Sequence, residues 1–250
     1  MKFKPAGAIF LFSVLLLFAF KPEPGKTTVY LIGDSTMADK AVSTYPETGW
    51  GMPFKIFFDS TVVLDNRAKN GRSTKTFIAE KLWQPVYDNL KAGDYVFIQF
   101  GHNDEVPTKK SYTAPEDFSK NLVRFIAETR EKKATPVLLS PVARRSFDAD
   151  GKLIDTHPQY ANLVREVAKK TGVAFIDLDA ESRELLQNLG AEKSEFLFNH
   201  LAAGEHPNYP QGKEDNTHFN ELGARKMAEI VLKDLINLHP GLENHIVKCK

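Results

Sequence analysis

Cysteine is almost missing from this chain of 250 residues: Cys249 is the only one. An intramolecular disulfide is impossible, so stability has to come from a buried core. A bias toward one charge is missing too. Lys and Arg number 33 against 32 Asp and Glu, a formal net charge of +1, which lacks the basic excess of a nucleic-acid binder. No Ser/Gly-rich linker, long charge run or internal repeat interrupts the sequence. The length therefore reads as one domain with room for a sizeable core. Phosphate-cradling patterns, Gly-x-Gly-x-x-Gly and the Walker type, do not occur, and neither does His-Glu-x-x-His or a His-x-x-x-His pair. His102, Asp104, His200 and His206 are the residues that would have to gather around a metal, and their spacing argues against it. No cofactor, no metal and no obligate protein partner is expected.

Long hydrophobic runs are scarce. One extends from Ala8 to Phe20, behind Lys2 and Lys4 and ahead of Lys21-Pro22-Glu23-Pro24. It falls short of the ~20 residues that a spanning helix needs. A basic start followed by a short apolar stretch reads as a secretory signal, although Leu17 is large for the position three before a cut at Ala19. Residues 1–20 are thus expected to be a signal peptide or a short N-terminal anchor. The chain is then exported, with residues 26–240 as the folded domain and 241–250 as a C-terminal tail.

What is present is an alternation of short apolar runs with amphipathic ones. Val29–Ile32, Thr61–Leu64, Tyr95–Phe100, Pro136–Ser140 and Val173–Leu178 are apolar on both faces and rich in Val and Ile, as buried parallel strands are. Phe118, Leu122, Phe125 and Ile126 recur at helical spacing within Glu116–Lys133. Tyr160, Leu163, Val164, Val167 and Ala168 do the same, as do Ala224, Met227, Ala228, Val231 and Leu235 behind a candidate N-cap, Asn220. Strand–helix alternation predicts a parallel sheet with helices on both faces. In such sheets functional groups collect beyond the carboxyl ends of strands. Ser35, Asn66–Gly71, Gly101-His102-Asn103-Asp104 and Arg144-Arg145 each follow a candidate strand.

The chemistry-bearing residues fit acyl transfer. Gly33-Asp34-Ser35 would put a hydroxyl at the rim of the sheet, although the same tripeptide is also an ordinary turn with Ser35 capping a helix. Position 37 is Met, so the Gly-x-Ser-x-Gly elbow is absent. Among the seven histidines, only His218 has an aspartate three residues before it, which lets Asp215 bend back onto the imidazole. Gly71 offers an unobstructed N–H and Asn103 a neutral donor for an oxyanion. Each of these residues alone reads equally well as turn chemistry.

Taken in order, Gly33-Asp34-Ser35, Gly71, Gly101-His102-Asn103-Asp104 and Asp215-x-x-His218 resemble the SGNH (GDSL) hydrolases. Ile32–Ala38, Gly49-Trp50-Gly51, Asn70–Phe77 and Asp215–Phe219 look like the rhamnogalacturonan acetylesterases in particular. The resemblance implies a three-layer α/β/α sandwich around a mainly five-stranded parallel sheet, the flavodoxin-like SGNH fold. It implies Ser35 as nucleophile, His218 as base, Asp215 as its orienter, and the Ser35 N–H, Gly71 N–H and Asn103 side chain as oxyanion hole. The implied substrate is an acetylated acidic polysaccharide or oligosaccharide. For such a polyanion Arg72, Lys75, His102, Arg144 and Arg145 are candidate binding residues by loop position, and binding would weaken with salt. Other acylated sugars such as xylan, a lipolytic ester and a non-catalytic sugar-binding role are the alternatives. The absence of an apolar lid disfavours the lipolytic one.

Overall fold

The computed structural model describes residues 26–247. The candidate signal segment, residues 1–20, and Cys249 lie outside the described residues.

Five strands form one sheet: β1 Thr27–Gly33, β2 Val62–Asn66, β3 Tyr95–Gln99, β4 Thr135–Leu139 and β5 Ala174–Ile176. All are parallel, in the order β2-β1-β3-β4-β5. Among the described residues, seven α-helices connect and follow them: α1 Gly51–Phe54, α2 Thr74–Ala79, α3 Trp83–Asn89, α4 Pro115–Glu131, α5 Pro158–Thr171, α6 Leu178–Ser194 and α7 Glu221–Leu238.

The period-2 alternation of the strands sorts their side chains onto two cores. Val29, Leu31, Phe97, Val137 and Leu139 pack on one face with Phe54 of α1, Leu186 of α6 and Met227, Val231 and Leu235 of α7. Tyr30, Ile32, Val96, Ile98 and Leu138 pack on the other with Phe77 of α2, Trp83 of α3, Phe118 and Phe125 of α4, and Val164 of α5. Three layers result, as expected from the alternation. Asn220 caps α7, its side chain accepting from the Gly223 N–H at 3.0 Å.

Of the boundaries that differ from the sequence reading, three have a visible cause. The second strand runs later, to Asn66, because Asn66 Nδ2 donates to the Met37 carbonyl and to Asp39 and so holds the strand end in line. The fifth strand stops at Ile176, because the Asp177 side chain accepts from Ala180 N–H and starts α6. The third correction concerns the C-terminal tail. Residues 241–247 are not a tail but part of the domain: Leu242 is fully buried, Ile246 bridges Phe58, and Val247 N–H donates to the Phe57 carbonyl at 2.9 Å.

In this strand order β1 and β3 are neighbours whose chains leave in different directions, toward β2 at one side and β4 at the other. The crevice beyond their carboxyl ends is where open α/β sheets hold ligands. The turns after β1 and β3 carry Ser35 and Asn103.

Candidate active site

The turn after β1 is narrow because nothing else fits there. A Cβ at Gly33 would lie 2.5 Å from the Gln99 carbonyl oxygen of β3. Past it, Asp34 is fully buried, and its Oδ1 accepts from the Thr36 N–H at 3.0 Å and the Thr36 hydroxyl at 2.8 Å. Burial pushes the Asp34 carboxyl up, against the opposing pull of those two bonds. Gln99 extends the network, its amide donating to Thr36 Oγ1 at 2.9 Å and accepting from Trp50 Nε1 at 2.7 Å. These buried hydrogen bonds fix the turn, while Asp34 Oδ2 is buried without a partner. They leave Ser35 Oγ pointing out of it.

His218 arrives from the loop before α7. Its Nε2 lies 2.9 Å from Ser35 Oγ, and its Nδ1 lies 2.8 Å from Asp215 Oδ2. The other carboxylate oxygen, Oδ1, accepts the N–H groups of Thr217 and His218, both at 2.9 Å. Burial alone would raise the Asp215 carboxyl, but the imidazole bond and the two backbone bonds outweigh it and hold the group well below the usual carboxylate range. An ionised carboxylate only accepts, so Nδ1 carries the proton and Nε2 presents a lone pair to the serine.

The loop itself is anchored on every side. Asn199 N–H donates to the His218 carbonyl at 2.9 Å, and Thr48 N–H to the Phe219 carbonyl at 2.8 Å. Arg145 N–H donates to the Asn216 carbonyl at 2.9 Å, and its guanidinium donates to Asn216 Oδ1 at 2.8 Å and to the Ala191 carbonyl at 2.6 Å. Arg145 therefore supports the histidine loop and is not a residue of the open rim.

Gly71 has φ +75°, and a Cβ there would meet nothing within 4 Å, so its backbone faces open space. Among the described residues neither its N–H nor that of Ser35 is used in a backbone hydrogen bond. Asn103 commits one amide hydrogen to the Arg72 carbonyl at 3.1 Å, which aims the other. Asp104 anchors the same loop pair from beneath: its Oδ1 accepts from Thr74 N–H at 2.9 Å and Thr74 Oγ1 at 2.6 Å. Burial, partly offset by the Thr74 bonds, pushes the Asp104 carboxyl up to about 7.

Ser35, Gly71, Asn103 and His218 line one cavity of about 390 Å³, together with His102 and Arg144. Besides Arg145, two more of the candidate binding residues lie elsewhere. Arg72 turns its guanidinium to Glu80 Oε2 at 2.8 Å and to the Asn70 carbonyl at 2.9 Å. Lys75 donates to the Tyr112 carbonyl at 3.3 Å and lines a different depression, above α2 and α4. Glu47, Asn70, Lys109 and Thr217 complete the cavity and were not singled out from the sequence. Lys109 lies six positions after Asn103 in the same loop, but an exposed lysine carries no local mark of such a role. Among the described residues no group of three or more His, Cys, Asp or Glu is placed to hold a metal ion.

The family model described as GDSL-like Lipase/Acylhydrolase matches residues 31–226. The chain is 40% identical to rhamnogalacturonan acetylesterase RhgT of Bacillus subtilis (strain 168), over 88% of this chain and 94% of that one. It is 28% identical to a rhamnogalacturonan acetylesterase of Emericella nidulans, over 86% of this chain and 87% of that one. A crystal structure of the Bacillus subtilis protein YxiM superposes with a TM-score of 0.73 at 24% identity, covering 85% of this chain and 56% of that one; that likeness concerns the fold.

Proposed function

The chain belongs to the GDSL-like lipase/acylhydrolase family, and from that premise we propose that it is a serine esterase that removes O-acetyl groups from rhamnogalacturonan. The observation that carries the reading is the unbroken line Asp215 Oδ2–His218–Ser35 Oγ, at 2.8 and 2.9 Å, opening into a cavity with two free N–H donors and an amide. The similarity to two rhamnogalacturonan acetylesterases supports the substrate.

Ser35 Oγ attacks the acetyl carbonyl carbon as its proton passes to His218 Nε2. The carbonyl oxygen becomes an oxyanion facing the N–H groups of Ser35 and Gly71 and the Asn103 amide. Such donors stabilise charge that is absent in the ground state, and each contributes roughly 3–4 kcal/mol. The imidazolium that forms is stabilised by ionised Asp215. His218 then returns the proton to the departing sugar oxygen, leaving acetyl-Ser35. Water, deprotonated by His218, repeats the attack and releases acetate, and Ser35 Oγ regains the proton. No redox or electron-carrying step is involved.

Export is part of the same reading, since a polysaccharide of plant cell walls lies outside the cell; Lys2, Lys4 and the Ala8–Phe20 run support it. The deciding experiment compares acetate release from acetylated rhamnogalacturonan, acetylated xylan and a long-chain ester by the wild type and Ser35→Ala. Preference for the pectic substrate, lost in the variant, is expected. A serine-dependent preference for xylan or the long-chain ester would reject the substrate. Turnover by Ser35→Ala at the wild-type rate would reject the mechanism.

A further inference from the structure

We propose that Lys109 and Arg144 form a carboxylate-binding subsite in the wall of the Ser35 cavity, which seats a uronic acid carboxylate of the substrate close to the acetyl group being removed. This rests on the acetylesterase reading above and deepens it.

The argument begins with which charges are already spent. Glu47, the one carboxylate lining the cavity among the described residues, is ion-paired with Lys40 at 2.7 Å, and both side chains are largely shielded from water. Glu105, just behind the wall, is also committed. Its Oε1 accepts from Arg144 Nη2 at 3.1 Å and its Oε2 meets His157 Nδ1 at 2.9 Å. Lys109 lines the same cavity, is exposed, and has no ion-pair partner among the described residues. A cavity whose acids are all engaged and whose lysine is not carries uncompensated positive charge.

Arg144 is held rigid for the same task. Nη2 donates to the His102 carbonyl at 3.2 Å as well as to Glu105. Glu105 in turn is clamped by His157, whose side chain is fully buried. The Arg144 Nε is buried and unpaired. A guanidinium fixed through Nη2, with Nη1 uncommitted, is preorganised to meet an anion. His102 adds to this. Its ring is buried within the cavity wall with both nitrogens unpaired, and burial, followed by the nearby His157 and Arg144, pushes it well below the usual imidazole range. It is therefore a neutral hydrogen-bonding group. Buried polar atoms without partners are rare in folded proteins, and here two of the residues that carry them line one cavity beside a free ammonium. A neutral sugar would leave that ammonium unused; a carboxylate would pair with it.

The test is calorimetric titration of wild type, Lys109→Met and Lys110→Met with trigalacturonic acid and with a neutral trisaccharide of the same length. Lys110 is the adjacent exposed lysine and does not line the cavity. The expected result is binding of the acid trisaccharide in preference to the neutral one, weakened by added salt. Lys109→Met should lose about tenfold in affinity, as for one charge-assisted contact, with Lys110→Met unaffected. Equal affinity for the acid and neutral sugars, or equal affinity of the three proteins, would overturn the subsite. Arg144→Lys, which keeps the charge but loses the fork, should raise KM on the acidic polymer more than it lowers kcat. Acetate release from acetylated rhamnogalacturonan, run alongside, separates the two claims. Lys109-dependent affinity without such release keeps the subsite and removes the proposed substrate. Release whose KM ignores Lys109→Met keeps the substrate and removes the subsite.

Discussion

A histidine acts as a base toward Ser35 only while its other nitrogen is held as a donor, and Asp215 is what holds it. Replacing the carboxylate by an amide, Asp215→Asn, lets the amide nitrogen face Nδ1 and favours the tautomer with its proton on Nε2. Steady-state assays should then show kcat lower by about 10⁴-fold with KM little changed, the pattern of a lost orienter. A fall of less than tenfold would mean that His218 is oriented by its backbone bonds alone. Asn103 makes a different prediction, because in the proposed mechanism it contributes only once the oxyanion exists. Asn103→Ala should lower kcat by about 10²–10³-fold and leave substrate binding nearly unchanged. A rise in KM with kcat intact would reassign Asn103 to ground-state binding.

At the scale of elements, the site is an assembly of the turns that follow β1, β2, β3 and β4 and the loop before α7, locked to the start of α2. The lock is Asp104 on Thr74. With the carboxyl raised to about 7 in the folded protein, the folded state holds a proton that the unfolded chain releases near pH 4. Its contribution to stability is therefore complete below about pH 4 and is lost as pH rises to about 7, with no further change above. Asp104→Asn mimics the protonated acid and keeps an acceptor for Thr74. Urea midpoints measured across that window should fall with pH in the wild type and fall less in the variant. Parallel profiles would show that Asp104 does not titrate there. Much of this level was legible in the sequence, since parallel strands buried on both faces write themselves as short apolar runs and the loops after them carry the unusual residues. The Ser35, Gly71, Asn103, Asp215 and His218 positions stood out as turn residues of special type in a fixed order. What was hidden depends on partners far away in sequence. Arg72 and Lys109 look alike as loop cations. Only folding decides that Arg72 meets Glu80 while Lys109, among the described residues, meets no acid. Gln99 reads as one more residue of a buried strand, yet it joins Trp50 to Thr36 behind Ser35. The α6 helix was missed because Asp177 cuts the last apolar run in two.

For the whole molecule, the sheet separates the work of its two ends. The carboxyl ends of the strands hold the site; the amino ends are closed by the C-terminal segment. Tyr95, the first residue of β3, donates its hydroxyl to the Pro240 carbonyl at 2.9 Å. Leu242 follows, fully buried in the core shared with α1 and α7. His245 and Ile246 then pair with the chain just before β2. Truncating a fully buried leucine removes its transfer free energy and leaves a cavity that neighbours only partly fill. Leu242→Ala should therefore cost about 2–5 kcal/mol in chemical denaturation. Because this end of the sheet is opposite to Ser35, kcat/KM on an acetyl ester should stay at the wild-type value wherever the variant is folded. Intact stability would mean that the segment merely rests on the surface. Lost turnover in a fully folded variant would mean that packing at the amino ends reaches the Ser35 turn through β1 and β3, and the two ends would then have to be treated as one coupled unit.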